Sequence, residues 1–272
     1  GGGLIDKQDL ARYHANIRKP IHGRYRGYDV YGAPPPSSGG ITCVLALNML
    51  ETFSLRDRER LSPENLHLII ESMRRAFAHR AKYLADPLYA NIPERLTSKY
   101  YARRLAGVLD ERQATPSAEV APDIPVIGES ENTTHFSVID GDGMAVSNTY
   151  TLEGSWGARI AVRGAGFVLN NEMGDFNAGP GLTDATGLIG TTPNLARPQQ
   201  RMLSSMTPSI VAKDGELVAV VGSPGGRTII NTVAQVILDL VDFGMGIEEA
   251  VAAPRIHHQW LPDRIRIEED GV

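Results

Sequence analysis

The chain has 272 residues, of which 42% are hydrophobic and 22% charged, a balance typical of globular proteins and not of disordered ones. Its 27 basic and 32 acidic residues are scattered without a basic block, which argues against nucleic-acid binding. The longest apolar runs fall well short of a membrane span. The single cysteine, Cys43, excludes an intrachain disulfide framework, and its apolar neighbours predict a buried thiol.

Residues 1–132 are predicted to be mainly helical. A short helix is expected over residues 6–13, followed by an extended stretch with Tyr25, Val30 and Tyr31. The proline-rich segment 33–40 forms a rigid turn that can be neither helix nor central strand, and an apolar helix follows it over residues 41–51.

The strongest helix signal begins at Ser62, a good N-cap residue that precedes Pro63 and Glu64 at the positive end. The apolar face of this helix is predicted from helical spacing to contain Leu66, Ile69, Ile70, Met73 and Phe77. Three basic residues lie on its other faces, and we expect them to remain in solvent: Arg74, Arg75 and Arg80.

An exposed connector is predicted over residues 114–131, which are rich in proline, small and acidic residues. Strand patterns follow it. Residues 134–139 and 144–152 form one predicted hairpin, and residues 208–212 and 217–221 form a second. An apolar helix is expected after the turn 223–226, so the order of elements predicts a layered α+β fold.

The junction between connector and strand contains Asn132 followed by Thr133 and Thr134. On local sequence alone, two threonines at this point are good strand residues and need no further role. Their place in the whole chain gives them a second interpretation.

Seven motifs occur in a characteristic order along nearly the whole chain. They are residues 34–40 (PPPSSGG), 133–138 (TTHFSV), 149–152 (TYTL), 169–176 (LNNEMGDF), 203–206 (LSSM), 222–226 (GSPGG) and 253–260 (APRIHHQW). In this order they resemble the gamma-glutamyltranspeptidase family.

The resemblance implies an N-terminal-nucleophile hydrolase with a four-layer αββα sandwich, of which this chain forms a part. It also implies a precursor that cleaves itself between Asn132 and Thr133. Residues 1–132 would then be the C-terminal part of a large subunit and residues 133–272 the N-terminal part of a small subunit, the two remaining together as a heterodimer.

The chemistry of a threonine nucleophile agrees with this reading. A threonine hydroxyl attacks poorly unless a base removes its proton. Cleavage before Thr133 would free an α-amine with a reference pKa of about 8, which can act as that base. By resemblance, Thr151 hydrogen-bonds the nucleophile, and the backbone N–H groups of Gly225 and Gly226 form the oxyanion hole. On local sequence alone, these glycines equally fit an ordinary turn at a helix start.

The substrate residues are assigned by the same resemblance. Asp175 matches the aspartate that meets the α-amine of a gamma-glutamyl donor, with Glu172 beside it, and Ser204 and Ser205 match the pair that holds the α-carboxylate. Glu153 stands where many relatives have asparagine, so it could hold the amine but would repel the carboxylate. The arginine that the family uses for this carboxylate lies upstream of the matched region.

A lid loop is expected over residues 180–190, with Gly181 and Gly187 as flexible points. Thr186 stands where some relatives have a gating aromatic residue, which would favour hydrolysis over transfer. The three histidines of the motifs, His135, His257 and His258, are expected to be structural, because adjacent residues on a strand point to opposite faces and chelate poorly.

The resulting prediction is a gamma-glutamyl hydrolase or transferase that acts on glutathione and related amides, with water, an amino acid or a peptide as acceptor. No metal or organic cofactor is implied, and family habit suggests the periplasm or exterior of a bacterium. Two alternatives remain: an amidase similar to cephalosporin acylases, which would cleave a glutaryl group, and a non-catalytic scaffold that is never processed.

Overall fold

The computed structural model describes residues 5–121, 126–127, 132–177, 179–182, 186 and 188–268. The helices are α1 (Lys7–Arg12), α2 (Gly39–Leu50), α3 (Pro63–Tyr83), α4 (Lys99–Ala106), α5 (Ser117–Val120), α6 (Thr228–Val241) and α7 (Ile247–Ala252). The strands are β1 (Ile21–Tyr25), β2 (Tyr28–Gly32), β3 (Val126–Ile127), β4 (Asn132–Ile139), β5 (Ala145–Glu153), β6 (Leu188–Ile189), β7 (Ser209–Lys213), β8 (Glu216–Val221), β9 (Ile256–His257) and β10 (Arg266–Ile267). These bounds confirm both predicted hairpins and the long helix after Ser62.

The central element is a four-stranded antiparallel sheet in the order β1-β2-β7-β8. Val30 of β2 lies opposite Val211 of β7, which lies opposite Ala219 of β8, and all three side chains are buried. Because β1 and β2 precede residue 133 while β7 and β8 follow it, the two predicted subunits share one sheet. Neither half completes this sheet by itself.

A layer of helices α2, α3 and α6 forms the hydrophobic core with this sheet. Every residue of α2 is buried, which agrees with a helix that is apolar on all sides. Cys43 lies in this helix, where burial raises the pKa of its thiol to about 12. The buried thiol predicted from the sequence is therefore confirmed.

Helix α3 begins as the sequence predicts, with the Ser62 hydroxyl accepting the Asn65 N–H at 3.3 Å. The prediction that its arginines remain in solvent is wrong, because Arg74, Arg75 and Arg80 are each at most 4% exposed. Neighbouring elements enclose this helix on several sides and supply polar partners, so the cations are buried together with the groups that they bind. Helical spacing does not contain that information.

The segment before the predicted cleavage point is exposed only in part. Ser117 of α5 is fully buried: its carbonyl accepts the Trp260 indole N–H at 2.7 Å and its backbone N–H donates to Asp263 at 2.8 Å. The prediction of an exposed connector therefore holds for part of this stretch: Ala114, Pro116, Ala118 and Glu119 are exposed, whereas tertiary contacts satisfy the backbone groups of the buried Ser117. Residues 122–125 and 128–131 lie outside the described residues.

The β4–β5 hairpin forms a separate two-stranded sheet beside β7 and β8. Ser137 donates to the Val220 carbonyl at 3.1 Å, and Ser147 donates to the Val221 carbonyl at 2.9 Å. The Thr-Thr motif is thereby fixed against the strand that leads into the glycine turn. Within the described ranges, no helix is long and apolar enough to cross a membrane.

Candidate active site

Thr133 is the second residue of β4 and lies directly opposite Thr151 of β5. The register between the two strands shifts between Asn132 and Thr133, at the bond where cleavage is predicted. Such an irregularity bends a strand locally and interrupts its ladder. The two threonines line an open depression of about 340 Å³ together with Thr134, Tyr150, Leu152, Gly154 and Ser155.

The Thr151 hydroxyl is oriented by Glu153, the last residue of the same strand. Its oxygen accepts the backbone N–H of Glu153 at 2.9 Å through one lone pair. A hydroxyl directly opposite Thr133 in an antiparallel pair is within side-chain reach of it. The arrangement is suited to a hydrogen bond between the two threonines.

Glu153 turns away from the strand at a φ of 69°, in the left-handed region that non-glycine residues rarely adopt. Its carboxylate accepts a hydrogen bond from the Asn171 amide, whose oxygen accepts the Gly154 N–H at 2.9 Å. Gly174 lies so close that an added Cβ would overlap the Glu153 carboxylate. Glu153 is thus held against the short helix Glu172–Asp175.

This short helix contains both predicted acidic residues. Glu172 is buried at 9% exposure, and Asp175 is half-buried. The Asp175 carbonyl accepts the Asn194 amide N–H at 2.7 Å, and the Asn194 oxygen accepts the Leu203 N–H at 3.0 Å. Asn194 therefore joins the acidic segment to the residues just before the serine pair, a link that sequence reasoning missed.

Ser204 and Ser205 are both set up as hydrogen-bond donors. The Ser204 hydroxyl accepts the Met206 N–H at 3.1 Å, and the Ser205 hydroxyl accepts Arg80 Nη2 at 2.8 Å. A hydroxyl that accepts in this way is able to donate through its own proton as well. Two such hydroxyls next to each other are suited to a carboxylate.

Gly225 and Gly226 both have positive φ, at 121° and 57°, so the turn before α6 requires residues without a side chain. Thr228 fixes this turn, since its hydroxyl donates to the Gly225 carbonyl at 2.7 Å. The turn starts at Gly222, against which the His135 ring packs so closely that a Cβ would overlap it. His135 thereby connects the Thr133 strand to the glycine turn.

His257 and His258 are buried and hydrogen-bonded within the protein. The Asn231 amide donates to His257 Nδ1 at 2.8 Å, and His257 Nε2 donates to Gln259 at 2.8 Å, which defines a neutral ring. Burial lowers the pKa of each histidine to about 4. In the part of the chain that the structure describes, no group of three acidic, histidine or cysteine side chains could hold a metal.

The predicted lid is described only in part. Gly181 has a φ of 74°, and its N–H donates to the Gly190 carbonyl at 3.2 Å. Thr186 is exposed, whereas residues 183–185 and Gly187 lie outside the described residues. A lid function for this loop therefore stays a prediction.

The sequence motifs and this geometry agree with a comparison to known families. A family model described as Gamma-glutamyltranspeptidase matches residues 1–272. The chain belongs to the gamma-glutamyltranspeptidase family. A glutathione hydrolase proenzyme of Escherichia coli is 47% identical over 98% of the chain, which covers 46% of that relative. An acylase ACY 1 proenzyme of a Pseudomonas species is 38% identical over 94% of the chain and is covered over 43% of its length.

A solved relative supports the fold. The crystal structure of a cephalosporin acylase from Bacillus halodurans has a TM-score of 0.76 and 26% identity, covering 94% of this chain and 44% of the acylase. The predicted fold is thereby confirmed: this gamma-glutamyltranspeptidase family member has the α+β fold of N-terminal-nucleophile hydrolases and forms part of a four-layer αββα sandwich. The chain spans about half the length of the relatives it matches.

Proposed function

We propose that the protein is a gamma-glutamyl hydrolase or transferase that acts on glutathione and related amides through Thr133. The placement of Thr133 opposite Thr151, at a register irregularity, is the observation that supports this proposal most directly. Family membership and 47% identity to a glutathione hydrolase proenzyme support the substrate class and a precursor.

Maturation would break the Asn132–Thr133 peptide bond and free the α-amine of Thr133. In the reaction, this amine takes the hydroxyl proton while the Thr133 oxygen attacks the gamma-glutamyl carbonyl. The N–H groups of Gly225 and Gly226 stabilise the resulting oxyanion. The tetrahedral intermediate then collapses, the protonated amine product leaves, and a glutamyl ester remains on Thr133.

The ester is resolved by water, which yields glutamate, or by the amine of an amino acid or peptide, which yields a new gamma-glutamyl amide. The α-amine of Thr133 again accepts the proton of the attacking group and returns it to the Thr133 oxygen as the ester breaks. The enzyme is thereby restored without a net change of protons or electrons.

Recognition of the donor would use two opposite ends of one site. The carboxylates of Asp175 and Glu172 suit the α-ammonium group, whereas the hydroxyls of Ser204 and Ser205 suit the α-carboxylate. Asn194 fixes the spacing between these ends through its bonds to the Asp175 carbonyl and the Leu203 N–H. Glu153 is held by Asn171 beside the acidic end and adds negative charge there.

A glutaryl amidase is the second candidate, since acylase relatives match the chain at 38% identity. A glutaryl group has no α-ammonium, so it would present no cation to the acidic residues around Asp175. This cluster therefore favours the gamma-glutamyl donor.

Intact mass after incubation of the full-length protein tests the nucleophile, with Thr133→Ala as control. We expect two fragments that meet at Asn132–Thr133 in the wild type and one uncut chain in the variant. An uncut chain in the folded wild type as well as in the folded Thr133→Ala variant would contradict the proposal. Initial rates on gamma-glutamyl and glutaryl anilides then decide between the two donors.

A further inference from the structure

Arg80 is a buried cation beside the predicted carboxylate-binding serines. It lies near the C-terminal end of α3 and is 2% exposed. Its guanidinium donates from Nε to the Ser38 hydroxyl and from Nη2 to the Ser205 hydroxyl, both at 2.8 Å. The side chain also packs over the Phe77 ring, with the guanidinium carbon 5.9 Å from the ring centre.

The direction of these hydrogen bonds is fixed by chemistry. A guanidinium can only donate, so both serine oxygens accept from Arg80 with a lone pair. The Ser38 hydroxyl in turn donates a hydrogen bond to the Ser204 carbonyl at 2.6 Å. The Ser38 backbone N–H donates to the same carbonyl at 2.8 Å. Arg80 therefore orients the Ser205 side chain directly and supports the Ser204 backbone through Ser38.

The positive charge of Arg80 adds a second effect. The guanidinium is a cation, and a buried charge acts more strongly on its neighbours than one in water. A hydroxyl that accepts from a cation is polarised by it and becomes a stronger hydrogen-bond donor. Ser205 is thus suited to an anionic partner, and a neutral group at the same place would gain less.

We propose that Arg80 is a positioning residue that directs the Ser205 hydroxyl toward the α-carboxylate of the gamma-glutamyl donor. This inference rests on the proposed function and extends it to a residue that need not touch the substrate. Arg80 and Ser38 precede Thr133, whereas Ser204 and Ser205 follow it. After cleavage, the same hydrogen bonds would join the two resulting chains at the substrate site.

The test compares two anilides on the processed full-length protein. One is the gamma-glutamyl anilide, and the other is the 4-aminobutyryl anilide, which lacks only the α-carboxylate. In Arg80→Gln we expect the ratio of their kcat/KM values to fall about 10-fold or more, mainly through a higher KM for the gamma-glutamyl anilide. Where turnover of the 4-aminobutyryl compound is slow, its Ki as a competitor replaces kcat/KM.

Three further variants separate positioning from general damage. Arg80→Lys keeps the cation but can bind only one of the two hydroxyls well, so its ratio should lie between those of the wild type and Arg80→Gln. In a Ser205→Ala background, Arg80→Gln should change the ratio much less, because the hydroxyl that it orients directly is gone and only the support of Ser204 through Ser38 is left to lose. The matched exposed change, Arg95→Gln, should leave the ratio at its wild-type value.

An unchanged ratio in folded, processed Arg80→Gln would overturn the inference, since a purely structural role affects both anilides alike. If the glutamine variant does not fold, Arg80→Lys and Ser38→Ala decide by the same ratio. A wild-type protein that cleaves no gamma-glutamyl anilide would instead contradict the proposed function. The two failures are therefore distinguishable.

Discussion

Thr133 and Thr151 face each other as direct partners across the β4–β5 ladder, although 17 residues of sequence separate them. The hairpin between them sets this pairing, and the Glu153 N–H fixes the orientation of the Thr151 hydroxyl at 2.9 Å. Positioning of the predicted nucleophile therefore depends on strand register. A slip of one residue in either strand would turn the threonine of that strand to the other face and separate the pair.

Replacement of Thr151 by valine tests this relationship. The change keeps the branched shape of the side chain and removes the hydroxyl, so we expect self-cleavage and anilide hydrolysis to slow roughly 100-fold, a loss typical of one positioned proton-transfer group. Intact mass over time measures the rate of self-cleavage, and initial rates on gamma-glutamyl anilide measure the rate of hydrolysis. Thr97→Val is the matched control, because the Thr97 hydroxyl donates only a local hydrogen bond to the Glu94 carbonyl, outside the candidate site. Equal rates in Thr151→Val and wild type would show that this hydroxyl has no role.

Gly222 is predicted to be intolerant of a side chain, because a Cβ there would overlap the His135 ring. We expect Gly222→Ala to lower the free energy of unfolding by about 1–3 kcal/mol and to slow processing, since the glycine turn and the Thr133 strand must move apart. Urea unfolding with intact mass measures both effects. Gly141→Ala is the control, as an added Cβ there meets no atom within 4 Å. If both variants behave alike, this contact has no special importance.

Glu71 is the centre of a buried ionic cluster on α3. Its carboxylate binds Arg74 at 3.0 Å and also binds Arg75, and these bonds hold its pKa below the usual value although burial favours the neutral form. We expect Glu71→Gln to lower the free energy of unfolding by about 3–5 kcal/mol, because the buried Arg75 loses its counterion while Arg74 keeps its ion pair with Asp263. Urea unfolding measures this loss.

Glu64→Gln on the exposed first turn of the same helix is the matched control for Glu71→Gln. It should cost about 1 kcal/mol or less, because only the helix dipole is affected. A Glu71→Gln variant that is as stable as Glu64→Gln would mean that this cluster stabilises the fold little.

His257 and His258 predict a dependence of stability on pH. Burial lowers the pKa of each to about 4, against about 6.5 when unfolded, so between these values the unfolded chain binds more protons. Stability should therefore be fully present above about pH 6.5 and should fall as pH drops toward 4. Each shift corresponds to roughly 3 kcal/mol over the whole window.

Urea unfolding at pH 7.5, 6.5, 5.5 and 4.5 measures this dependence. His257→Gln removes one buried histidine and should make the slope shallower, whatever it does to stability at pH 7.5. His14→Gln, at an exposed position, should leave the slope as in the wild type. An unchanged slope in His257→Gln would show that this histidine is not the source.

Local sequence was enough to place the long helix and both hairpins. Ser62 and Pro63 define a helix start through backbone geometry, and the Asp140-Gly141-Asp142-Gly143 turn defines a hairpin, so neither depends on distant residues. The family motifs likewise indicated the candidate site residues. The motifs did not indicate how these residues are arranged in space. In the structure, Asn194 connects the acidic segment to the residues before the serine pair, and His135 connects the Thr133 strand to the glycine turn.

The sequence by itself determined helices α1, α2, α3 and α6, the two hairpins β4–β5 and β7–β8, and the choice of candidate site residues, because these depend on local propensity and on ordered motifs. Only the tertiary structure decided that Arg80, expected in solvent, is buried against Ser38 and Ser205. The physical reason is that a helical pattern specifies an apolar face but not which polar side chains will find buried partners. Such partners come from distant parts of the chain: Ser205 lies in the half of the chain that β7 joins to β2 in one sheet.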